Sequence, residues 1–203
     1  IINMISNMTK QITLIRGPIV STLNAFNNEA TPAIGLAYIA SYIKSRGYKK
    51  VKIVDAIGAA LDKFTELKDY KGYQIQGLRF DEIIRKIPKN TEVIGISAMF
   101  SGEWPIVRDL IFKIRKTLPN VLIVAGGEHV TALPEFSLYD CSDLDICVVG
   151  EGEHTFYEIL EAKYNDIDFN EVSGICFLDK SKQYISTGKQ DRIRKIDAIP
   201  WPY

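Results

Sequence analysis

The sequence predicts an open, doubly wound α/β domain built on a five-stranded parallel sheet. Three observations lead there. Short apolar runs alternate with amphipathic stretches along most of the chain, the pattern of a sheet covered by helices. Glycine or proline punctuates most of the boundaries between them. Five strand-helix units in succession, joined by right-handed crossovers, make such a sheet doubly wound.

The first strand reads from Gln11 to Arg16 and stops at Gly17-Pro18. A helix is predicted from Pro32 to Arg46, with Pro32 suited to its first turn and Gly47 to the position past its end. The second strand is Val51 to Asp55, and residues 57–77 are irregular with only a weak helical stretch. A helix from Leu78 to Ile87 stops at Pro88, and the third strand follows from Glu92 to Ala98. Ile106, Val107, Leu110, Ile111, Ile114 and Leu118 then recur at helical spacing over Trp104 to Leu118. The fourth strand is Val121 to Ala125, with a short helix near Pro134 to Tyr139. The fifth is Leu144 to Val149, and its helix runs from Glu153 to Ala162. From Val172 the runs VSGICFLD and QYISTG flank DKSK and predict a β-hairpin, after which DRIRKIDAIPWPY reads as an extended arm. The architecture is flavodoxin- or Rossmann-like. Residues 1–10, starting at Ile1, read as a disordered tail or vector remnant, residues 11–170 as the α/β domain, and 171–203 as hairpin and linker.

Composition narrows the function. Lys plus Arg and Asp plus Glu both number 25, so no overall field attracts nucleic acid or an anionic membrane. No apolar run approaches a membrane span, and the first ten residues do not read as a signal peptide. Three cysteines, Cys141, Cys147 and Cys176, lack metal-type spacing, and an odd count without a secretion signal points to the cytoplasm.

Open α/β sheets bind ligands beyond the carboxyl ends of their strands, so the loops there carry the chemistry. The first, from Gly17 to Thr31, has neither G-x-x-x-x-G-K-[ST] nor G-x-G-x-x-G, which disfavours ATP and NAD. Arg16 and Gly17 stand where a receiver domain would carry acidic residues. After the third strand, Ser97, Met99 and Phe100 in SAMFSG combine small residues with a soft apolar surface; the alternative is an ordinary strand-to-helix turn with Phe100 in the core. After the fourth, Gly126-Gly127 permit close backbone approach or a positive φ, and His129 reads as a polar loop residue rather than a metal ligand. After the fifth, Gly150, Glu151, Gly152 and Glu153 set carboxylates at a helix N-terminus. There they repel phosphate and welcome amide donors, or simply cap the helix.

In order, TPAIGLAYIASYIKSRGY, VKIVDA, GLRFDEIIRKI, VIGISAM, VAGGEHVT, LDICVVGEGEHTFYEIL, VSGICF and RKIDAIPWP resemble the N-terminal cobalamin-binding domain of radical S-adenosylmethionine enzymes, over residues 11–203. The resemblance implies a corrin ring lying on the carboxyl edge, touched by Pro18 and the loop after it, Ser97, Met99, Phe100, Gly126, Gly127, His129, Gly150, Glu151, Gly152 and Glu153. D-x-H-x-x-G is absent, so cobalt is expected to have no histidine ligand, its lower face left to a non-ligating side chain or water. C-x-x-x-C-x-x-C is absent too. The [4Fe–4S] cluster and S-adenosylmethionine are therefore expected in a C-terminal radical domain outside this chain, which alone should be inactive. The family implies methyl transfer through methylcobalamin, although other members form rings or rearrange substrates. Two alternatives stay open: a stand-alone corrinoid carrier, and a flavodoxin-like regulatory domain without corrin.

Overall fold

The computed structural model describes residues 7–25, 31–188 and 199–202. The chain opens with β1 (Gln11–Arg16) and β2 (Ile19–Thr22), then α1 (Ile34–Ser45), β3 (Lys50–Asp55), β4 (Phe64–Glu66) and β5 (Tyr73–Gln76). Next come α2 (Phe80–Lys86), β6 (Thr91–Ser97), α3 (Trp104–Thr117), β7 (Leu122–Gly126), α4 (Glu128–Ala132) and α5 (Pro134–Asp140). β8 (Ile146–Val148), α6 (Gly152–Tyr164), β9 (Ile175–Leu178) and β10 (Tyr184–Ser186) complete it.

The main sheet runs β10-β9-β8-β7-β6-β1-β3. Its five strands from β3 to β8 are parallel, in chain order 2-1-3-4-5 as a doubly wound sheet requires. The expected hairpin does form, and it extends this sheet, with β9 antiparallel to β8 and β10 antiparallel to β9. Gly47, at φ +108, stands just past α1 as its sequence position suggests.

Two expectations are corrected. Residues 17–31 and 57–77 are not simply loop and weak helix: β2, β5 and β4 pair antiparallel into a small second sheet. Strands of three or four residues are too short to announce a period; pairing, not propensity, makes them. The segment Glu128–Ala132, read as loop, is the helix α4. Of the expected tail, residues 1–6 lie outside the described residues, whereas Lys10 pairs with Glu92 at 3.5 Å. The arm also lies outside them between 189 and 198; beyond it, the Ser41 hydroxyl on α1 donates to the carbonyl of Trp201.

Alternation along the strands divides the core. Ile94, Ile96, Ile123 and Ala125 pack with Val107, Leu110, Ile111 and Ile114 of α3 and with Val130 and Leu138 of α4 and α5. Ile12, Leu14, Val93, Val124, Ile146 and Val148 point the other way, onto Leu36, Ala40 and Ile43 of α1 and Phe156, Ile159 and Leu160 of α6. Hence the connection leaving β1 crosses one face and that leaving β6 the other, and the switch in winding falls between these neighbouring strands. At the opposite, amino end of the sheet, Arg115 donates to the carbonyls of Val121 (2.6 Å) and Asp143 (2.9 Å) and to Asp145 (2.7 Å), pinning the starts of β7 and β8.

All three cysteines are buried and free. Cys147 and Cys176 face each other across β8 and β9. Burial pushes the Cys141 thiol up to about 12 and raises that of Cys147 as well. Since only thiolate reacts, native protein is expected to leave Ellman's reagent uncoloured over minutes, and urea-denatured protein to release all three thiols. Rapid reaction of native protein would contradict this burial.

Candidate functional site

The parallel strands end together. Arg16 of β1 is in register with Asp55 of β3 and Ser97 of β6, and Ser97 with Gly126 of β7. These ends form a shelf at the switch in winding. Strand alternation continues upward from Gly95 to Ser97 and from Val124 to Gly126, so both Ser97 and Gly126 look toward α1 and α6. A Cβ on Gly126 would find only Val148 within 4 Å, at 3.9 Å. Two positions down, a Cβ on Gly95 would sit 2.7 Å from Leu14 and 3.0 Å from Phe156. On this face the sheet is filled at Gly95 and open at Gly126.

Glycine at 127 is a steric requirement. Its φ is +120, and a Cβ there would stand 2.6 Å from the Ala98 carbonyl oxygen and 2.9 Å from the Met99 sulfur. The β6 and β7 exits are sewn together by the Ala98 amide donating to the Gly126 carbonyl (2.7 Å) and the His129 amide to the Ala98 carbonyl (3.1 Å). Met99 and Phe100 stay outside, 42% and 59% exposed. The alternative that buried Phe100 in the core is thereby corrected: the chain turns at Ala98, and the next two side chains leave the packed interior.

The other expected residues are placed as follows. Pro18 is buried beneath the start of β2, and Arg16 donates from its guanidinium to the Thr31 carbonyl, closing the far end of the first loop. Gly150 has φ +91 and open space about it, and its amide donates to the Thr131 hydroxyl at 3.1 Å. Glu151 is the N-cap residue of α6 and Glu153 lies in its first turn, where the helix dipole favours their charge. Gly152 admits Ile39 of α1, whose Cδ1 would lie 3.2 Å from an added Cβ, so α1 and α6 close together beside the shelf.

His129, read as a polar loop residue, is in fact 3% exposed, within α4. Its ring stacks on Trp104 at 4.7 Å, and its two nitrogens lie 2.9 Å from the Ser101 hydroxyl and 3.2 Å from that of Ser137. Burial holds the imidazole below its usual range, with Asp140 working weakly against it. Sequence reasoning missed this cluster, and it also missed Gly95, although a glycine inside an apolar strand signals close approach. Among the described residues no group of three or more His, Cys, Asp or Glu could hold a metal ion, and no helix is long and apolar enough to cross a membrane.

The shelf is open rather than enclosed. Cavities of about 410 and 430 Å³ lie elsewhere, one at the amino ends near Thr91 and Val121 and one between Tyr70 and Phe112. A broad face of glycine and small side chains, edged by Met99 and Phe100, with carboxylates and carbonyls as acceptors, suits a large flat ligand with amide donors. The fold and this rim define a ligand-binding α/β domain of the doubly wound class. The family model described as the B12 binding domain matches residues 27–160, and the chain belongs to that family.

The chain is 28% identical over 194 residues to an uncharacterized methyltransferase, PH0819, of Pyrococcus horikoshii, covering 95% of this chain and 38% of that protein. It is 30% identical over 151 residues to the cytidylyl-2-hydroxyethylphosphonate methyltransferase of Streptomyces wedmorensis, covering 74% and 28%. Its fold matches OxsB, a cobalamin-dependent S-adenosylmethionine radical enzyme solved with aqua-cobalamin and S-adenosylmethionine, with a TM-score of 0.73 at 18% identity over 97% of this chain and 24% of that one. The chain thus spans roughly a quarter to two fifths of the length of these proteins.

Proposed function

We propose that this chain is the cobalamin-binding part of a radical S-adenosylmethionine methyltransferase. The observation that carries the reading is the sheet end itself. Ser97 and Gly126 open toward α1 and α6, Gly127 has no room for a side chain, and Met99 and Phe100 remain exposed beside them. Membership of the B12-binding family and the likeness to two methyltransferases support it. When bound, the corrin supplies cobalt-centred methyl-transfer chemistry.

The chain's own residues bind, orient and shield. Ser97, Met99, Phe100, Gly126 and Gly127 would floor the ring and its tail, with buried Pro18 supporting the first loop from beneath, and Gly150 to Glu153 would offer acceptors to peripheral amides. No histidine is proposed for cobalt: His129 is enclosed, and His154 lies 3.4 Å from Glu158 on α6. The iron-sulfur cluster, S-adenosylmethionine and the substrate site belong to the remainder of the longer protein that its relatives suggest. A polypeptide carrying C-x-x-x-C-x-x-C beyond Tyr203 separates this reading from a free-standing corrinoid carrier.

Titration of the purified chain with hydroxocobalamin is the direct test. A saturable change in the visible spectrum, with one equivalent retained through gel filtration, is expected. Protein that emerges colourless, with the free-cofactor spectrum unchanged throughout, would defeat the assignment and favour a regulatory domain without corrin. A spectrum of the His-ligated type would overturn the ligation proposed for cobalt while leaving binding intact.

A further inference from the structure

We infer that His129 is a positioning residue that holds the Met99-Phe100 segment in place from behind, without touching the ligand. This inference rests on the cobalamin reading for its consequence, though not for its geometry.

The hydrogen bonds around the ring fix its proton. A serine hydroxyl carries one proton, and that of Ser137 is given to the Leu133 carbonyl at 2.7 Å. Toward His129 Nε2, 3.2 Å away, Ser137 can therefore only accept, so Nε2 carries the hydrogen. In a neutral imidazole Nδ1 is then the acceptor, and the Ser101 hydroxyl at 2.9 Å must donate to it. The ring is a directional strut: it gives a hydrogen bond to α5 and takes one from the segment after β6. Burial, which disfavours the imidazolium, agrees with the neutral form.

The strut is itself braced. Trp104 stacks on one side of the ring, and its indole Nε1 donates to Asp140 at 2.9 Å. Asp140 also receives Arg108 at 3.1 Å, and the edge of Phe136 approaches the ring at 6.5 Å. The His129 amide meanwhile donates to the Ala98 carbonyl. His129 thus grips the rim segment on both sides of the two exposed side chains, at Ala98 and at Ser101. Met99 and Phe100, 42% and 59% exposed, lie between those two points, which hold the main chain that carries them.

The test uses His129→Phe, which keeps a stacking ring but neither polar bond, and Ser101→Ala, which removes one bond at an exposed site. Ser101→Ala is expected to weaken hydroxocobalamin binding about three- to ten-fold, the range for one lost hydrogen bond, and His129→Phe, which loses two, by at least as much. Amide hydrogen exchange at residues 99–103 should quicken, while that of the α3 interior stays unchanged. The imidazole ¹⁵N spectrum of the wild type should show the Nε2–H tautomer, and Ser101→Ala should move the Nδ1 resonance. Unchanged affinity and unchanged loop exchange in Ser101→Ala would overturn the inference even if His129→Phe fails to fold. So would an Nδ1–H tautomer. A wild type that takes up no hydroxocobalamin would defeat the cofactor reading alone, because exchange and tautomer decide the strut without the ligand.

Discussion

Replacing Gly127 with alanine is expected to destabilise the chain by about 1–3 kcal/mol and to abolish uptake of hydroxocobalamin. The first part follows from the backbone. At φ +120 an L side chain is strained, and the added carbon would lie 2.6 Å from the carbonyl oxygen of Ala98, which is main chain and cannot rotate aside. That carbonyl already accepts the His129 amide, so relief requires the ends of β6 and β7 to separate. The second part follows from what those ends carry. Any separation displaces Met99, whose sulfur at 2.9 Å is the nearest side-chain atom to the new methyl group, and with it the apolar edge of the shelf. Gly126→Ala is the control, since a carbon there meets nothing nearer than 3.9 Å; it should fold normally and weaken binding only by narrowing the opening toward α1 and α6. Urea denaturation gives the first quantity and visible titration the second. Equal stability of the two variants would show that the β6 and β7 exits are looser than drawn.

The parallel core was legible because its signals are local. Helices announced themselves through apolar spacing, as in Ile106 to Leu118, and strands through runs such as VIGIS and VLIVA bounded by glycine and proline. The glycine pair at 126 and 127 was legible for the same reason, since a doubled glycine at a strand end has few other uses. What escaped was whatever depends on partners distant in sequence. β2 pairs with β5 across some fifty residues, and neither strand is long enough to show alternation. His129 looked like a surface residue because the string GGEHVT is polar. Ser101, Trp104 and Ser137, which give it a buried setting, come from the turn after β6, from α3 and from α5, and meet only after the sheet has closed. Phe100 left two readings open in the sequence, because an aromatic beside an apolar strand is usually core; the turn at Ala98 decides for the exposed one.

Truncating Phe156 to alanine is expected to cost about 3–5 kcal/mol, a large share of the roughly 5–15 kcal/mol that a domain of this kind has in total. Phe156 is 3% exposed and packs with Leu14, Val93, Val124 and Ile159 between the sheet and α6. Its ring occupies the space in front of Gly95, where the strand has no side chain of its own. The two residues are therefore matched in size, and Gly95→Ala should be overpacked by about 1–3 kcal/mol, with its methyl group 3.0 Å from that ring. Combined in one chain, the substitutions should be less harmful than their sum by about 1 kcal/mol, because each vacates or fills the same volume. Leu14, at 2.7 Å from the added carbon, limits the rescue, since removing Phe156 does not relieve it. The pairing also bears on the shelf. Phe156 closes this face of the sheet at the level of Gly95 and leaves it open at Gly126, so on the proposed cobalamin reading it would set how deeply the ligand tail enters beside α1 and α6. A cycle of the two single variants and the double, followed by urea denaturation with and without hydroxocobalamin, separates these effects. Additive losses without ligand would mean that Gly95 and Phe156 are not complementary, and the floor of the opening would have to be sought elsewhere.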